Sequence, residues 1–310
     1  MTPLVYIIIL NWNTRKETIK CIESANCVLY QNVKILIVDN GSDDGSAKEF
    51  RKRFPNIDII ENKKNLGYAG GNNVGIKKAL NNKADYVFLV NSDVVIDPNC
   101  INELVKLAEQ DFSIGIVGPK NYFFDKPNTI CFAGGKINLF TGQSVHMGVC
   151  EKDKGQYDDI EDVDYITGSA IMIKSEVFEK IGLFDERFFA WYEDSDFCIR
   201  AKNSGFCVRL VPQARIWHKV SQSIGGHGAP LQTYYGIRNI LLFMRKHGKC
   251  KHWFVFAPYY FYKYIARKSL SSLRQKKRSR LIYLKIIWRA LVDSWFSRYG
   301  RAPAWIEELT

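Results

Sequence analysis

The first 120 residues alternate short apolar runs with segments whose apolar residues have helical spacing. Five apolar runs predict buried strands, at residues 5–11, 33–39, 57–61, 86–91 and 114–119. The segments between them predict helices, at residues 16–25, 46–54, 73–80 and 99–110. This βαβα pattern predicts an α/β fold with a mostly parallel central sheet flanked by helices. Ligands of such sheets bind in a crevice beyond the carboxyl ends of the strands.

The rest of the chain has a different texture. Residues 121–164 are rich in Gly, Asn, Lys and isolated aromatics, which predicts hairpins and a mobile loop. Helices are predicted at 175–181 and after Glu193, and short strands at 207–211 and 214–217. A glycine-rich run at 225–228 predicts a hinge, and helical patterning follows it to the end. We therefore expect one domain over residues 1–225 and a helical appendage over residues 226–310.

Charge separates these two parts of the chain. The net charge is +12, yet residues 226–310 hold 17 Lys or Arg against three acids, so the first 225 residues are nearly neutral. We expect the appendage to bind a surface and the first domain to hold the active site. No run approaches the roughly 20 apolar residues that span a bilayer, and the chain starts directly in an apolar strand, so we expect a cytoplasmic protein. The eight cysteines include no C-x-x-C pair and predict reduced thiols.

The appendage combines aromatic residues with cations. Residues 253–266 are dense in aromatics, and residues 274–280 contribute five cations. Basic amphipathic helices edged by Trp and Tyr lie in the membrane interface and favour anionic lipids. This pattern predicts peripheral attachment to the inner face of the cell membrane. A packing helix pair with a solvated cationic face and a dimerisation surface, which would make a homodimer, are the alternatives. We expect no nucleic-acid binding, because no known binding module surrounds the charge.

Three acids follow a run of large aromatics in residues 188–196. Glu193, Asp194 and Asp196 come directly after Trp191 and Tyr192. Aromatic walls desolvate a carboxylate and raise its basicity, which suits a general base in a sugar-sized pocket. A helix N-terminus, where acids interact favourably with the helix dipole, explains the same residues equally well.

Polar residues end several of the predicted strands. Asp39 precedes a Gly/Ser turn that suits a ribose or base, although a simple βα turn explains it too. Residues 65–73, with three glycines and three asparagines, predict a loop that approaches a phosphate or sugar closely. That loop is not a P-loop, and the residues after the first strand include no glycine, which disfavours a dinucleotide dehydrogenase.

Two further positions bear on a metal and on a sugar. Asp93 ends the fourth strand in the run Asn91-Ser92-Asp93 and can reach Mg²⁺ or Mn²⁺ on a diphosphate. His218 can add a ligand from a later strand, although a lone histidine is as often structural. Thr167-Gly168-Ser169 can present hydroxyls and bare backbone to a sugar.

Taken in order, these motifs resemble those of the family 2 glycosyltransferases, especially their rhamnosyltransferase-like branch. The resemblance covers roughly residues 4–225 and is carried by the runs at 11–13, 38–42, 65–72, 91–93, 167–170 and 188–196. It implies the Rossmann-like GT-A fold and an inverting, metal-dependent transfer from a nucleotide-diphosphate sugar. Tyr235 to Asn239 resemble the Arg-Asn element that begins the C-terminal helices of this branch.

The resemblance also implies roles for individual residues. Asp194 is the catalytic base, and Asp93 with His218 holds Mg²⁺ or Mn²⁺. The donor and its nucleotide are bound by Asn11, Asn13, Asp39, Gly67, Asn72, Asn91 and Ser92. The acceptor or sugar is bound by Thr167, Gly168, Trp191, Glu193 and Asp196. Asn91 stands where the family has the first Asp of Asp-x-Asp, so metal binding depends on Asp93, the diphosphate and His218.

The implied function is transfer of rhamnose or another hexose from a dTDP- or UDP-sugar to a hydroxyl of a glycan or lipid-linked acceptor in cell-surface polysaccharide synthesis. A sugar nucleotidyltransferase is one alternative, but it needs a Gly-rich basic segment after the first strand, where only Arg15 lies nearby. A non-catalytic, membrane-associated scaffold with a degenerate transferase domain is the other. Asn91 favours the scaffold, and the intact Glu193, Asp194 and His218 count against it.

Overall fold

A computed structural model describes residues 2–159, 162–219, 230–267 and 277–309. Eleven strands and ten helices lie in these ranges. The strands are β1 (Val5–Asn11), β2 (Val33–Asp39), β3 (Asp58–Glu61), β4 (Tyr86–Asn91), β5 (Val94–Ile96), β6 (Ile114–Phe123), β7 (Lys126–Phe132), β8 (Gly135–Asn138), β9 (Gln143–His146), β10 (Ala170–Lys174) and β11 (Cys207–His218).

The helices of the first 220 residues are α1 (Arg15–Asn26), α2 (Ser46–Arg53), α3 (Gly67–Asn81), α4 (Cys100–Ala108), α5 (Ser175–Ile181) and α6 (Glu193–Asn203). The appendage contains α7 (Pro230–His247), α8 (Cys250–Tyr260) with a π-helical extension (Phe261–Ala266), α9 (Lys277–Trp295) and α10 (Ala304–Glu307). The predicted hinge at 225–228 and the cations Arg274 and Lys276 lie outside the described residues. Within them, no helix is both long and apolar enough to span a membrane.

The central sheet has the order β3-β2-β1-β4-β10-β6-β11-β5, with β7 paired to β6. Strands β1 to β4 run parallel, as do β6 and β11, whereas β10 is antiparallel to both of its neighbours. Helices α1 and α4 cover one face, and α3, α5 and α6 cover the other. Because both faces are covered, six of the seven residues of β1 are buried, all but Leu10. The predicted α/β class is therefore confirmed.

Helix α1 shows why the helical segments settle on the sheet. Its buried residues are Thr18, Cys21, Ile22 and Ala25, which follow the three- and four-residue spacing of one helix face. The opposite face carries Lys and Glu into solvent. Burying such a stripe against the sheet removes apolar surface from water, at roughly 25 cal/mol per Å².

The expectation of a loop at residues 65–73 is wrong. Helix α3 already begins at Gly67, so Gly70, Gly71 and Asn72 lie in its first turns. A Cβ at Gly71 would stand 2.6 Å from Leu10 Cδ1 and 2.9 Å from Asn40 Nδ2. Glycine here allows the helix to lie directly against the ends of β1 and β2.

The two short strands expected at 207–211 and 214–217 form one strand, β11, with an irregularity between Val211 and Arg215. Hairpins appear within residues 121–164 as predicted, between β6 and β7 and between β8 and β9. Helices α7 to α10 pack around a further apolar cluster, which also contains Phe188 from the loop before α6.

Candidate active site

Two adjoining cavities open at the carboxyl ends of β1, β2 and β4. The larger, of about 350 Å³, is the acidic cavity, and its lining includes Glu193, Asp194 and His218. The smaller, of about 150 Å³, is the strand-end cavity, and its lining includes Trp12 and Asn40. Both cavities are also lined by Tyr68, Asn91, Ala190 and Trp191. Because they share a wall, one extended ligand can occupy both.

Sheet register explains why distant segments meet here. Ala170 of the antiparallel β10 pairs with Val90 of β4, so the residues before β10 lie beyond the carboxyl end of β4. The N–H of Asn91 donates to the carbonyl of Ser169 at 3.0 Å, which fixes that approach. Thr167 and Gly168 consequently line the acidic cavity, as the sequence predicted.

Asp194 lies in the first turn of α6 and lines the acidic cavity. Its Oδ2 accepts a hydrogen bond from the Gly168 N–H at 3.0 Å, and its Oδ1 accepts from the Ser195 N–H at 2.6 Å. Burial raises the pKa of Asp194, while these hydrogen bonds oppose the rise. The result is a fixed carboxylate that is more basic than an exposed aspartate.

Glycine at position 168 leaves room for the Tyr68 side chain, and its backbone is hydrogen-bonded on both sides. The Tyr68 hydroxyl donates to the Gly168 carbonyl at 2.5 Å, while the Gly168 N–H donates to Asp194. A Cβ on Gly168 would lie 2.6 Å from the Tyr68 hydroxyl oxygen. Tyr68 therefore positions the backbone group that orients Asp194.

Glu193 also lines the acidic cavity but is 95% buried, at 5% relative exposure. Its Oε2 is buried without a hydrogen-bond partner among the described residues. Burial, together with the charge of Asp194, raises the pKa of Glu193 well above its usual range. A carboxyl group in this state is available to bond a ligand hydroxyl.

Asp196 does not line either cavity, and we do not retain it as a substrate-binding residue. It is fully buried behind the cavity, where Oδ2 meets Arg200 Nε at 2.9 Å. Its Oδ1 meets Lys246 Nζ at 2.6 Å and His247 Nε2 at 2.8 Å. Burial opposes ionisation, but these partners lower the pKa of Asp196. Two residues, or a little over half a helical turn, separate a carboxylate that lines the cavity from one that joins α6 to α7.

Asp93 and His218 come together because β5 pairs with β11. His218 lies opposite Val94, so its ring reaches Asp93 and Nε2 stands 3.1 Å from Oδ1. Burial lowers the pKa of His218, but its interactions with Asp93 and Cys131 together outweigh burial and raise the pKa to about 9. Burial likewise opposes ionisation of Asp93, and His218 lowers its pKa.

The Asp93–His218 pair offers a divalent cation two protein ligands, one carboxylate and one imidazole. Among the described residues, no group of three or more His, Cys, Asp or Glu side chains is arranged to hold a metal. Mg²⁺ and Mn²⁺ on a diphosphate nevertheless use few protein ligands and take the others from phosphate oxygens and water. The donor set of one carboxylate and one imidazole fits that mode.

The predicted nucleotide residues form a network around Asp39. Asp39 is 2% exposed; its Oδ2 accepts from Asn11 Nδ2 at 2.7 Å, and its Oδ1 accepts from the Ser42 N–H at 2.9 Å. Asn11 is fully buried, and neither Asn11 nor Asp39 lines either of the two cavities. Asn13 is exposed at a left-handed φ of 53° and accepts the Asp43 N–H at 3.0 Å.

The other residues predicted to bind the sugar nucleotide differ in whether they line a cavity. Gly67, Asn91 and Ser92 line the strand-end cavity, and Ser92 Oγ lies 2.8 Å from Thr14 Oγ1. Asn72, by contrast, is 1% exposed inside α3 and donates to the Tyr68 carbonyl at 3.0 Å. Asn72 lines neither cavity, so it is not placed to contact a ligand bound in them. Its displacement follows from the early start of α3.

The loop before α6 has an unusual backbone. Phe189, Trp191 and Tyr192 all have left-handed φ values, of 65°, 65° and 76°. Each such residue costs on the order of 1–3 kcal/mol unless its surroundings hold it there. The loop turns Trp191 into both cavities and ends at the start of α6.

Sequence reasoning missed several side chains of the site. The acidic cavity is also lined by Ser144 and His146 from β9 and by Tyr165. The signal for Ser144 and His146 in the sequence was weak, because residues 121–164 showed only isolated aromatic residues among Gly, Asn and Lys. The strand-end cavity is also lined by Leu231, Tyr235 and Glu307 of the appendage, which the sequence gave no reason to place near β1.

Comparison with known proteins agrees with this geometry. The model of glycosyl transferase family 2 matches residues 6–182. A low-salt glycan biosynthesis hexosyltransferase of Haloferax volcanii is 31% identical over 247 residues, covering 76% of the chain and 74% of the relative. A dTDP-rhamnosyl transferase of Shigella flexneri is 25% identical over 253 residues, covering 79% and 81%.

Among solved structures, a mannosyltransferase of Pyrobaculum calidifontis in complex with GDP-Man and Mn²⁺ superimposes with a TM-score of 0.60. The sequence identity is 13%, and the match covers 96% of this chain and 88% of that one. A likeness at this identity speaks for the fold alone, which is the GT-A arrangement.

Proposed function

The chain belongs to glycosyltransferase family 2, and from this premise we propose that it is an inverting hexosyltransferase that uses a nucleotide-diphosphate sugar. The acceptor is a hydroxyl group of a glycan or a lipid-linked saccharide in cell-surface polysaccharide synthesis. The single observation that carries the proposal is the position of Asp194, a basic carboxylate that shares one cavity with His218.

In this reaction Asp194 takes the proton of the acceptor hydroxyl as its oxygen attacks the anomeric carbon. The new C–O bond forms as the bond from that carbon to the diphosphate oxygen breaks, so in-line attack inverts the anomeric centre. A general base of this kind contributes roughly 10²- to 10⁴-fold to the rate. The hydrogen bonds from Gly168 and Ser195 hold the carboxylate still during the transfer.

The donor is expected to extend across both cavities, with its nucleotide at the strand ends. Trp12 and Tyr235 supply aromatic surface there, and Asn65 supplies an amide to a base or ribose. Asp39 ends β2 next to this cavity and accepts a hydrogen bond from Asn11. Asp93 and His218 would hold Mg²⁺ or Mn²⁺ beside Asn91. When bound, the cation supplies positive charge to the departing diphosphate.

Rhamnose carried on dTDP is the first donor to test, since the Shigella flexneri relative is a dTDP-rhamnosyl transferase. UDP-sugars, with galactofuranose, glucose and N-acetylhexosamines, come next. Glu193 supports sugar recognition, because its buried Oε2 has no hydrogen-bond partner among the described residues and its side chain lines the acidic cavity. Thr167 and Trp191 supply a hydroxyl and an aromatic face on the same wall.

Peripheral attachment to an anionic membrane is the proposed role of the appendage. Large apolar side chains are exposed along α8, its π-helical extension, α9 and the residues after it, namely Phe254, Val255, Phe261, Tyr262, Leu281, Trp288, Trp295 and Phe296. Exposed cations such as Lys251, Lys285 and Arg298 lie among them. Aromatic surface mixed with cations suits the inner face of a membrane that carries a lipid-linked acceptor.

A thermal-shift panel tests the proposal. The protein is heated with dTDP-rhamnose, UDP-glucose, UDP-galactofuranose and UDP-N-acetylglucosamine, each with and without Mn²⁺, and with ATP as a control nucleotide. Binding to the folded state raises the melting temperature, by an amount equivalent to about 2.7 kcal/mol at a concentration of 100 Kd. We expect one sugar nucleotide to raise it more with Mn²⁺ than without. No rise with any sugar nucleotide would contradict the proposed function.

A further inference from the structure

Two buried polar residues of α7 reach back into the loop that leads to Asp194. We propose that Arg238 and Asn239 are positioning residues for transfer, which hold residues 187–192 in the shape that delivers Trp191 and Asp194 to the active site. The appendage is then a working part of the active site. The catalytic consequence rests on the proposed function, whereas the structural role does not.

Asn239 makes three contacts with the loop backbone. Its Nδ2 lies 2.9 Å from the Phe188 carbonyl, 2.8 Å from that of Ala190 and 3.0 Å from that of Trp191. Asn239 itself is fully buried. One amide group therefore contacts three carbonyl oxygens of the loop, of which that of Phe188 also accepts from the Ala190 N–H at 2.8 Å.

Arg238 supports the same loop and orients the amide of Asn239. Its Nη2 donates to the carbonyls of Phe188 at 3.1 Å and Arg187 at 3.2 Å. Its Nε donates to Asn239 Oδ1 at 3.0 Å, which turns the Nδ2 of Asn239 towards the loop. Its Nη1 donates to the Gly300 carbonyl at 2.6 Å. The guanidinium thus connects the loop to the end of the chain.

The loop needs such support because of its backbone. Phe189, Trp191 and Tyr192 all adopt left-handed φ values that side chains with a Cβ avoid. Released from their partners, these residues would relax towards ordinary φ values and rotate Trp191 out of the shared wall of the two cavities. Asp194 follows within two residues and would move with them.

A second connection ties α7 to the same segment from its other end. Lys246 and His247 both contact the carboxylate of Asp196, two residues beyond Asp194. Helix α7 thus holds the segment from Phe188 to Asp196 at both ends. Arg238 and Asn239 are buried among apolar side chains, where an unpaired polar group lowers stability. Apolar side chains of similar size would pack there at least as well, so the hydrogen bonds to the loop account for the polar residues.

The test compares Asn239→Asp with a matched change on the same helix. Asn239→Asp keeps the size of the side chain but replaces a donating amide with a carboxylate that repels the three carbonyls. Arg245→Ala is the control, since Arg245 also bonds backbone and side chains at 2.6–3.3 Å but joins α7 to Ser294 and Tyr299 instead of the loop. Arg238→Lys, which loses the forked donation but keeps the charge, serves if Asn239→Asp does not fold.

Two measurements are made on the full chain. Amide hydrogen exchange of peptides spanning residues 187–196 reports the loop without any need for activity. Steady-state kinetics with the sugar nucleotide found in the thermal-shift panel report kcat and KM separately. We expect faster exchange confined to 187–196 and a fall in kcat of about 100-fold, with a smaller change in donor KM, in Asn239→Asp. Arg245→Ala should show neither effect.

The positioning role would be overturned if the loop exchanged equally fast in Asn239→Asp and Arg245→Ala. It would also be overturned if the two variants lost the same melting temperature and had the same kcat. If the wild-type protein transfers no sugar but the loop still exchanges faster in Asn239→Asp, the proposed function fails while the structural role stands. If transfer is present and the variant matches the control, the positioning role fails while the proposed function stands.

Discussion

The backbone N–H of Gly168 donates a hydrogen bond to Oδ2 of Asp194 at 3.0 Å, across 26 residues of chain. This contact joins the segment before β10 to the first turn of α6. It leaves Asp194 oriented towards the acidic cavity, with Oδ1 held by Ser195.

Asp194→Asn should lower kcat for transfer by roughly 10²- to 10⁴-fold, since an amide cannot accept the acceptor proton. Donor binding should stay within about twofold, because Asp194 is expected to contact the acceptor hydroxyl. Steady-state rates and calorimetric donor titration measure the two effects. Asp125→Asn, in the exposed turn between β6 and β7, is the control. Full activity in Asp194→Asn would exclude it as the base.

The pH dependence of transfer should report the raised pKa of Asp194. The base works only when ionised, so kcat/KM should rise with pH through a pKa above that of an ordinary aspartate. Ser195→Ala removes a hydroxyl that donates to Asp194 Oδ1 at 3.2 Å and favours the ionised form. The acidic limb of the pH–rate profile should therefore move to higher pH in this variant. A move to lower pH would contradict the assignment.

Asn91→Asp should tighten Mn²⁺ binding about tenfold, because a second carboxylate beside Asp93 adds charge to an oxygen-ligand site. Asp93→Asn and His218→Ala should weaken it by a similar factor. Calorimetric titration of Mn²⁺ in the presence of UDP or dTDP measures the affinities. Asp97→Asn, four residues beyond Asp93, is the matched control and should bind as the wild type does. Unchanged affinity in Asp93→Asn would remove the proposed metal site.

The double change Trp295→Ala and Phe296→Ala should reduce binding to anionic vesicles by at least about tenfold, because both side chains are largely exposed, at 78% and 62%. Flotation with vesicles containing phosphatidylglycerol, against vesicles of phosphatidylcholine alone, measures the bound fraction. Phe112→Ala is the control, since Phe112 is 95% exposed but lies before β6, outside the appendage. Equal binding by all three proteins would show that this surface is not the anchor.

Lys246→Met should lower the free energy of unfolding by roughly 1–3 kcal/mol at pH 7, because it leaves Asp185 and Asp196 with fewer partners. Lys246 Nζ stands 2.6 Å from an oxygen of each carboxylate. Although burial opposes ionisation, Arg187 and Lys246 lower the pKa of Asp185, and His247, Arg200 and Lys246 lower that of Asp196.

The sign of the pH effect follows from these lowered pKa values. Their contribution to stability is present above the unfolded-state pKa, near 4, and is lost as the pH falls through the folded-state pKa. Urea unfolding from pH 7 to pH 3 should therefore show a shallower decline in Lys246→Met than in the wild type. Lys251→Met, at an exposed position of α8, should follow the wild type. A steeper decline in Lys246→Met would contradict this account.

The α/β class, the positions of most strands and helices and the sheet edge that carries the site could be predicted from the sequence. Apolar runs fixed β1, β2 and β4 at the predicted residues, and polar residues at their ends had to meet there because parallel strands share an edge. The order of the motifs along the chain also indicated the family. The strands and the polar residues at their ends are local features, since each depends on the spacing of neighbouring residues.

Which polar residues line the cavities follows from the packing of distant segments. The sequence predicted substrate contacts for both Asp194 and Asp196, but the turn of α6 places Asp194 in the acidic cavity and Asp196 against Lys246 of α7. Pairing of β5 with β11 brought His218 to Asp93, and the antiparallel β10 brought Gly168 to Asp194. The approach of α7 to the Phe188–Trp191 loop likewise has no local signal. Such contacts depend on register and packing between distant segments, which local spacing does not encode.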